Sequence, residues 1–276
     1  MSERKVLLAV SFGTSYNENR EASIGAIEAE LAAAFPDWEI RRAFTSRRII
    51  DCLQKRDGLR IDNMREALAR AAADGVRTLA VLPTHLMAGF EYTALARELE
   101  AAAPHFARTA LARPLLSEEA DFAAVADAAA GMLENCGSCG KRTALCLMGH
   151  GAEARANGVY ERLQQVLWER GHADCFVGTV EAGPSLEEMM ARMEAAGPYR
   201  KAVVRPLMVV AGDHANHDMA GDGPQSWKRR MEAAGYEVSC VIRGLGQEEA
   251  IRQIYTAHAR AAIDALGPAG IEKTAL

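Results

Sequence analysis

The chain of 276 residues is 49% hydrophobic and 25% charged, the composition of a soluble protein long enough to bury a substantial core in two ordinary domains. Its net charge of −5 gives no general pull toward nucleic acid or an anionic membrane. No segment approaches the roughly 20 uninterrupted apolar residues that span a bilayer. The opening MSERKVLLAV enters a strand-like run too short for a secretory signal, so the expectation is a cytoplasmic protein.

Short apolar runs alternate with longer Ala/Leu/Glu/Arg segments of helical period. KVLLAVS (5–11) predicts a strand, followed by a helix over about 18–35 that ends before Pro36. WEIRRAF (38–44) predicts the next strand, then helical RRIIDCLQ and NMREALARAAADG, with Gly75 as the stop. TLAVLP (78–83), helical TALARELEAAA (93–103), FARTALA (106–112) and helical DFAAVADAAAGML (121–133) complete the first half. The pattern then restarts with RTALCLMGH (142–150), helical VYERLQQVLWERG (159–171) and CFVGTVE (175–181). Helical LEEMMARMEAAG (186–197) and KAVVRPLMVV (201–210) follow. Helical SWKRRMEAAG (226–235), YEVSCVIRG (236–244) and helical EEAIRQIYTAHARAAIDAL (248–266) close the chain.

Strand–helix alternation with nearly continuous apolar strands implies an α/β fold of parallel sheets covered on both faces. The halves are similar in kind: KVLLAV-SFGTS matches KRTALCL-MGHGA, and PTHLMAG-FEY matches PLMVVAG-DHA. This alignment places Gly89 on Gly212 and Glu91 on His214. Two pseudo-repeated domains are expected, 1–136 and 137–276, with the last helix free to pack back on the first. A cleft between facing carboxyl ends of strands is where open α/β sheets bind ligands. Neither GxGxxG nor GxxxxGK[ST] occurs, so no motif supports a nucleotide cofactor.

Three successive strand ends of the second half carry His150, Glu181 and His214. A His₂Glu set suits divalent metals of borderline softness and leaves coordination positions open. Each residue also has a local reading. A histidine beside glycine often serves a turn, and Glu181 or Asp213 would cap a neighbouring helix. His217 stands three residues from His214, but Gly212 and Gly221 point to a loop in which Asp213, Asp218 and Asp222 have shaping roles. His85, in PTHLMAG, ends a strand of the first half and is a weaker candidate for the cleft, while His105, His172 and His258 read as surface or structural. In SFGTSY, Ser11, Thr14 and Ser15 suit carboxylate or phosphate binding at a strand-to-helix turn, with N-capping as the alternative. RRAFTSRR (41–48), with Arg42 at its centre, is the densest basic patch; it suits a polyanion or a solvated helix start. Of six cysteines, only Cys136 and Cys139 have ligand-like spacing, and their Gly-rich surroundings read as a linker with exposed thiols.

SFGTSY, RAFTS, QKRDG, AGFEY, MGHGA, VGTVE, PLMVVAGDHANHDMAGD followed by SWK, and GLG at 244–246 occur in this order along nearly the whole chain. Together they closely resemble the anaerobic cobalt chelatases of the class II chelatase superfamily. The resemblance implies two similar domains, each a four-stranded parallel sheet flanked by helices, with a tetrapyrrole in the cleft between them. It implies insertion of Co²⁺ into sirohydrochlorin without ATP during anaerobic cobalamin synthesis, and no permanently bound cofactor. Carried over by position, His150, Glu181 and His214 would be the metal set, with His150 also accepting a proton. Glu91 would be an acid facing the same cleft, and Ser11, Thr14 and Arg42 would anchor the macrocycle carboxylates. The ligand set also admits Fe²⁺ or Ni²⁺. The rivals are a sirohydrochlorin ferrochelatase of the same fold, a non-catalytic tetrapyrrole or metal binder, and a solute-binding protein, which lacks a visible export signal. A homo-oligomer is compatible with the sequence.

Overall fold

The apolar runs form two four-stranded parallel sheets in the computed structural model, which describes residues 3–134, 143–152 and 154–267. The first sheet contains β1 (Lys5–Ser11), β2 (Glu39–Phe44), β3 (Thr78–Pro83) and β4 (Arg108–Leu111) in the order β2-β1-β3-β4. The second contains β5 (Thr143–Gly149), β6 (Cys175–Thr179), β7 (Lys201–Pro206) and β8 (Glu237–Cys240) in the order β6-β5-β7-β8. Every residue of β3 and β5 is buried, because helices cover both sheet faces; that is why these strands read as unbroken apolar runs. The edge strands β4 and β8 are less buried.

The internal repeat extends to register. Pro83 pairs with Val10, and Pro206 pairs with Met148. Just beyond each proline the chain donates back to the central strand, Thr84 N to Val10 O and Leu207 N to Met148 O, both at 2.8 Å. Both halves therefore turn out of the sheet at the same step, and both send the next residues over its carboxyl edge.

In the first half the helical elements are α1 (Asn17–Arg20), a π-helical turn (Glu21–Gly25), α2 (Ala26–Ala34), α3 (Arg47–Asp57), α4 (Met64–Ala73), α5 (Phe90–Ala102) and α6 (Glu119–Glu134). In the second they are α7 (Ala154–Glu169), α8 (Leu186–Ala196), a second π-helical turn (Ala215–Met219), α9 (Trp227–Ala233) and α10 (Glu249–Ala265). Local chemistry sets several starts. Asn63 with Glu66, and Ser185 with Glu188, form reciprocal capping boxes, and the Ser226 hydroxyl accepts from Arg229 N. One core runs through both halves, joining Leu7 and Leu82 to Leu145 and Leu147, with Tyr255 and Ala259 of α10 in it. Helix α10 packs on β3, β4, α2 and α6, so the last helix returns to the first sheet. Among the described residues no helix is long and apolar enough to cross a membrane.

Several strands are shorter than the sequence predicts, and the two of the last β-α-β unit lose most at their carboxyl ends. β7 stops at Pro206 instead of running to 210, and β8 covers Glu237–Cys240 instead of 236–244. After Leu207 the backbone bends, and Met208 O and Val209 O accept from Leu245 N and Gly246 N at 2.8 and 3.0 Å. The apolar VV run thus packs against the GLG turn and not within the sheet, a long-range pairing that apolar periodicity does not reveal. Cys146 and Cys175 are buried free thiols, and burial pushes the Cys175 thiol up to about 12, so it stays protonated and inert. Cys136 and Cys139 lie outside the described residues.

Candidate metal centre

The carboxyl ends of β5 and β6 bring the first two side chains together. Val180 N donates to Gly149 O at 3.0 Å and Glu181 N donates to His150 O at 2.9 Å, so the ladder continues past both strands and fixes Glu181 beside His150. Glycine makes this approach possible. Gly151 has φ +101°, and a Cβ there would meet Ala182 N at 2.9 Å. The Gly151 N–H is received by the hydroxyl of buried Tyr160 at 3.2 Å, which holds the turn from below. His150 Nδ1 lies 3.1 Å from Gly151 O. A carbonyl only accepts, so this contact places the imidazole proton on Nδ1 and leaves the Nε2 lone pair free. That Nε2 is 3.7 Å from Glu181 Oε2.

His214 arrives from the bend after β7. The sequence predicts a loop here; the structure forms helix instead, with His214 in right-handed helical geometry leading into the second π-helical turn. The two glycines bracket this segment without interrupting it. Gly221 N donates to His217 O and closes the turn, and a Cβ at Gly221 would strike that same oxygen. Helical spacing puts Asp218 one turn beyond His214, and its Oδ2 lies 2.7 Å from His214 Nδ1. The carboxylate fixes the proton on Nδ1 and turns Nε2 outward as a ligand, the usual outer-sphere arrangement of a metal-binding histidine. His217 faces elsewhere, paired with Asp213 at 3.0 Å and largely exposed.

His150, Glu181 and His214 each offer one ligand atom, and these atoms all lie within 4.8 Å of one another. The two imidazoles meet edge-to-face, with centroids 4.7 Å apart. Neighbouring ligands on an ion bound at about 2.1 Å stand roughly 3–3.5 Å apart, so the widest separation in the set must close by roughly 1.3–1.8 Å around a cation. All three side chains are open to solvent, which suits an ion that arrives and leaves and does not suit a closed structural site. The sequence reading assigned Asp218 to loop shape. Its H-x-x-x-D spacing from His214 is a signal for its orienting position, but only once the segment is known to be helical. Asp218→Ala should weaken Co²⁺ binding by about 10–100-fold, read by titration calorimetry, with the melting temperature little changed because the side chain is half exposed.

The first half supplies the facing wall. Glu91 stands in the first turn of α5, behind Gly89 at the helix N-cap. Burial pushes its carboxyl up, and His150 pulls it partly back, so the carboxyl senses the second-half site. Phe12 and Phe90 are exposed large apolar residues beside these loops, 51% and 76% accessible. Their sequence signal is a bulky apolar residue next to glycine, Phe12 just past β1 and Phe90 at the start of α5. The SFGTSY turn clasps the His214 segment directly. Tyr16 Oη donates to Asp213 Oδ1 at 3.2 Å, and Asn19 Nδ2 to Ala211 O at 2.6 Å. Arg56 of QKRDG braces the turn from behind through Ser15 O and Asn17 Oδ1, both at 2.7 Å.

The expected carboxylate anchors do not gather at the site. Arg42 sits mid-strand in β2 and grips Glu28 with two hydrogen bonds of 2.7 and 2.6 Å. Its guanidinium is paired with that carboxylate, whereas the sequence reading has it receiving a polyanion. Ser11 is buried, and its hydroxyl accepts from Thr84 Oγ1 at 2.7 Å; it joins two strand ends and is not presented to a ligand. Thr14 does reach the border between the halves, where a Cβ on Gly212 would lie 3.6 Å from its Oγ1, but the hydroxyl is buried and accepts from Tyr16 N. N-capping geometry and anchoring chemistry use the same residue types, which is why the sequence could not separate them.

Residues 5–264 match the family described as Cobalt chelatase (CbiK). The sirohydrochlorin cobaltochelatase of Salmonella typhimurium is 38% identical over 261 residues, covering 95% of this chain and 97% of that protein. The sirohydrochlorin cobaltochelatase CbiKC of Nitratidesulfovibrio vulgaris is 30% identical over 273 residues, 96% of this chain and 93% of that one. The solved structure of SirB from Bacillus subtilis with Fe³⁺ superimposes with a TM-score of 0.65 at 13% identity, covering 95% of this chain and 97% of the other, a likeness of fold. The two parallel sheets, the facing strand ends and the match over nearly the full length agree: this chain belongs to the cobalt chelatase (CbiK) family.

Proposed function

We propose that this protein inserts Co²⁺ into sirohydrochlorin without ATP, releasing two protons, as a step of anaerobic cobalamin synthesis. The observation that carries the reading is the His150–Glu181–His214 cluster at the carboxyl ends of the second sheet, in a chain with two sirohydrochlorin cobaltochelatases as full-length relatives. The cluster is the place for the incoming metal. Imidazole nitrogens and a single carboxylate strip part of its hydration and leave positions open for the ring nitrogens. Metal and protons then exchange. As the ion passes to the macrocycle, His150 Nε2 regains its lone pair and takes one pyrrole proton, and Glu91 on the opposite wall takes the other. Phe12 and Phe90 offer apolar faces for the flat ring. The metal is consumed as substrate, no cofactor is held permanently, and the reading places the protein in the cytoplasm.

The test is the initial rate of the absorbance change when the anaerobic protein meets sirohydrochlorin with Co²⁺ or with Fe²⁺. Faster turnover with cobalt is expected. The ligand set binds either ion, and intrinsic affinity order does not choose between them in a cell. Equal or faster turnover with iron would move the assignment to sirohaem synthesis, and an unchanged sirohydrochlorin spectrum would leave a binding protein without catalysis.

A further inference from the structure

His85 lies two residues beyond β3, in the loop that leads to Glu91. Its backbone is pinned from two sides. Leu115 N donates to His85 O at 3.0 Å, and the hydroxyl of fully buried Tyr255 donates to Thr84 O at 2.9 Å with a longer contact to His85 O. The side chain is 8% exposed, and neither ring nitrogen has a hydrogen-bond partner among the described residues. Burial alone lowers the imidazole to about 4, so it is neutral at working pH and still carries one N–H. A buried donor left unpaired costs stability, so its partner should exist in the working state. The Glu91 carboxylate stands at the right place, with Oε2 3.6 Å from His85 Nε2. A rotation of Glu91 by about half an ångström brings this to ordinary hydrogen-bond length.

We propose that His85 is a positioning residue for Glu91. Its Nε2–H takes one carboxylate oxygen from below and leaves the other aimed across the cleft at the ring nitrogens beside His150. The inference rests on the chelatase reading, in which Glu91 receives a pyrrole proton. A rigid neutral donor suits this task. It fixes the carboxylate without neutralising it, whereas a buried cation would hold the carboxylate as a tight ion pair and make it a poor base.

Kinetics of His85→Leu and His85→Gln, each made in the wild-type and the Glu91→Gln backgrounds, test the assignment. His85→Leu should lower kcat for cobalt insertion by about 10–100-fold, with KM for sirohydrochlorin and the Co²⁺ dissociation constant within about twofold. His85→Gln, which keeps an amide donor near the same point, should recover most of the rate. In the Glu91→Gln background His85→Leu should have little further effect, because the two residues act as one unit. Equal losses in both backgrounds, or a glutamine variant as slow as the leucine variant, would overturn the proposal. A turnover-independent readout covers variants that fold poorly. In ¹⁵N-labelled protein the His85 imidazole should show a neutral Nε2–H tautomer whose signals move on Glu91→Gln, and signals unmoved by that change would refute the coupling. Wild-type protein that fails to insert cobalt would refute the functional reading, while the imidazole spectrum still decides the His85–Glu91 contact.

Discussion

His214→Ala should abolish cobalt insertion, with a fall of at least about 100-fold, whereas His217→Ala should leave turnover close to wild type. The two histidines stand three residues apart in one short helical segment, and the sequence favours His214 only by its place past a strand end. The structure separates them. His214 has its Nδ1 occupied by Asp218, its ring against His150 and a ligand atom within 4.8 Å of those of His150 and Glu181. His217 is 68% exposed and turned to Asp213. Removing His214 leaves one imidazole and one carboxylate, too few to hold a cobalt ion while the macrocycle takes its place. Removing His217 releases an exposed contact with Asp213, and such surface pairs contribute little. Anaerobic turnover and Co²⁺ titration on the two variants read both effects. A His217→Ala variant slower than His214→Ala would show that the register of the ligand set is wrong.

The fold was legible because its main signal is local. β1, β3 and β5 are apolar without interruption, and glycine, proline and capping residues bound the helices, so alternation and the internal repeat could be read directly. His150, Glu181 and His214 could be nominated together because each follows a strand end, and parallel strand ends share one edge. What could not be read depends on contacts distant in sequence. The course of 207–211 is set by hydrogen bonds to the turn at 244–246, so the VV run looked like strand. Arg42 looked free because its partner, Glu28, lies 14 residues away on another element. Asp218 looked like a loop residue because the helical turn that aligns it with His214 is held by what packs around it. Among these, His85 was half visible: its place at a strand end was clear, while its burial and its approach to Glu91 were not.

That remote turn supports the second large expectation, that Gly244→Ala both destabilises the protein and disables the metal centre. A Cβ on Gly244 would stand 2.4 Å from Val209 O, 2.7 Å from Val210 Cα and 2.8 Å from Ala211 N. All three are backbone atoms, so no side chain can swing aside; the methyl must push the 209–211 segment or the 244–246 turn away. Either movement stretches the hydrogen bonds from Leu245 N and Gly246 N to Met208 O and Val209 O. Ala211 is followed directly by Gly212, Asp213 and His214, so the displacement reaches the ligand without any ligand being changed. The turn also borders the first half, where a Cβ on the neighbouring Gly246 would meet Ser23 O at 3.0 Å, so it cannot simply retreat. Overpacking against backbone belongs at the upper end of the usual range, about 3 kcal/mol, which lowers the melting temperature by roughly 6 °C or more. Cobalt insertion should fall further than that loss of folded protein accounts for, because a shift of an ångström at His214 is comparable with the contraction the ligand set needs. Gly223→Ala is the matched control: a Cβ there meets nothing within 4 Å, and both stability and turnover should hold. If Gly244→Ala melts and turns over like Gly223→Ala, the turn at 244–246 does not set the position of His214.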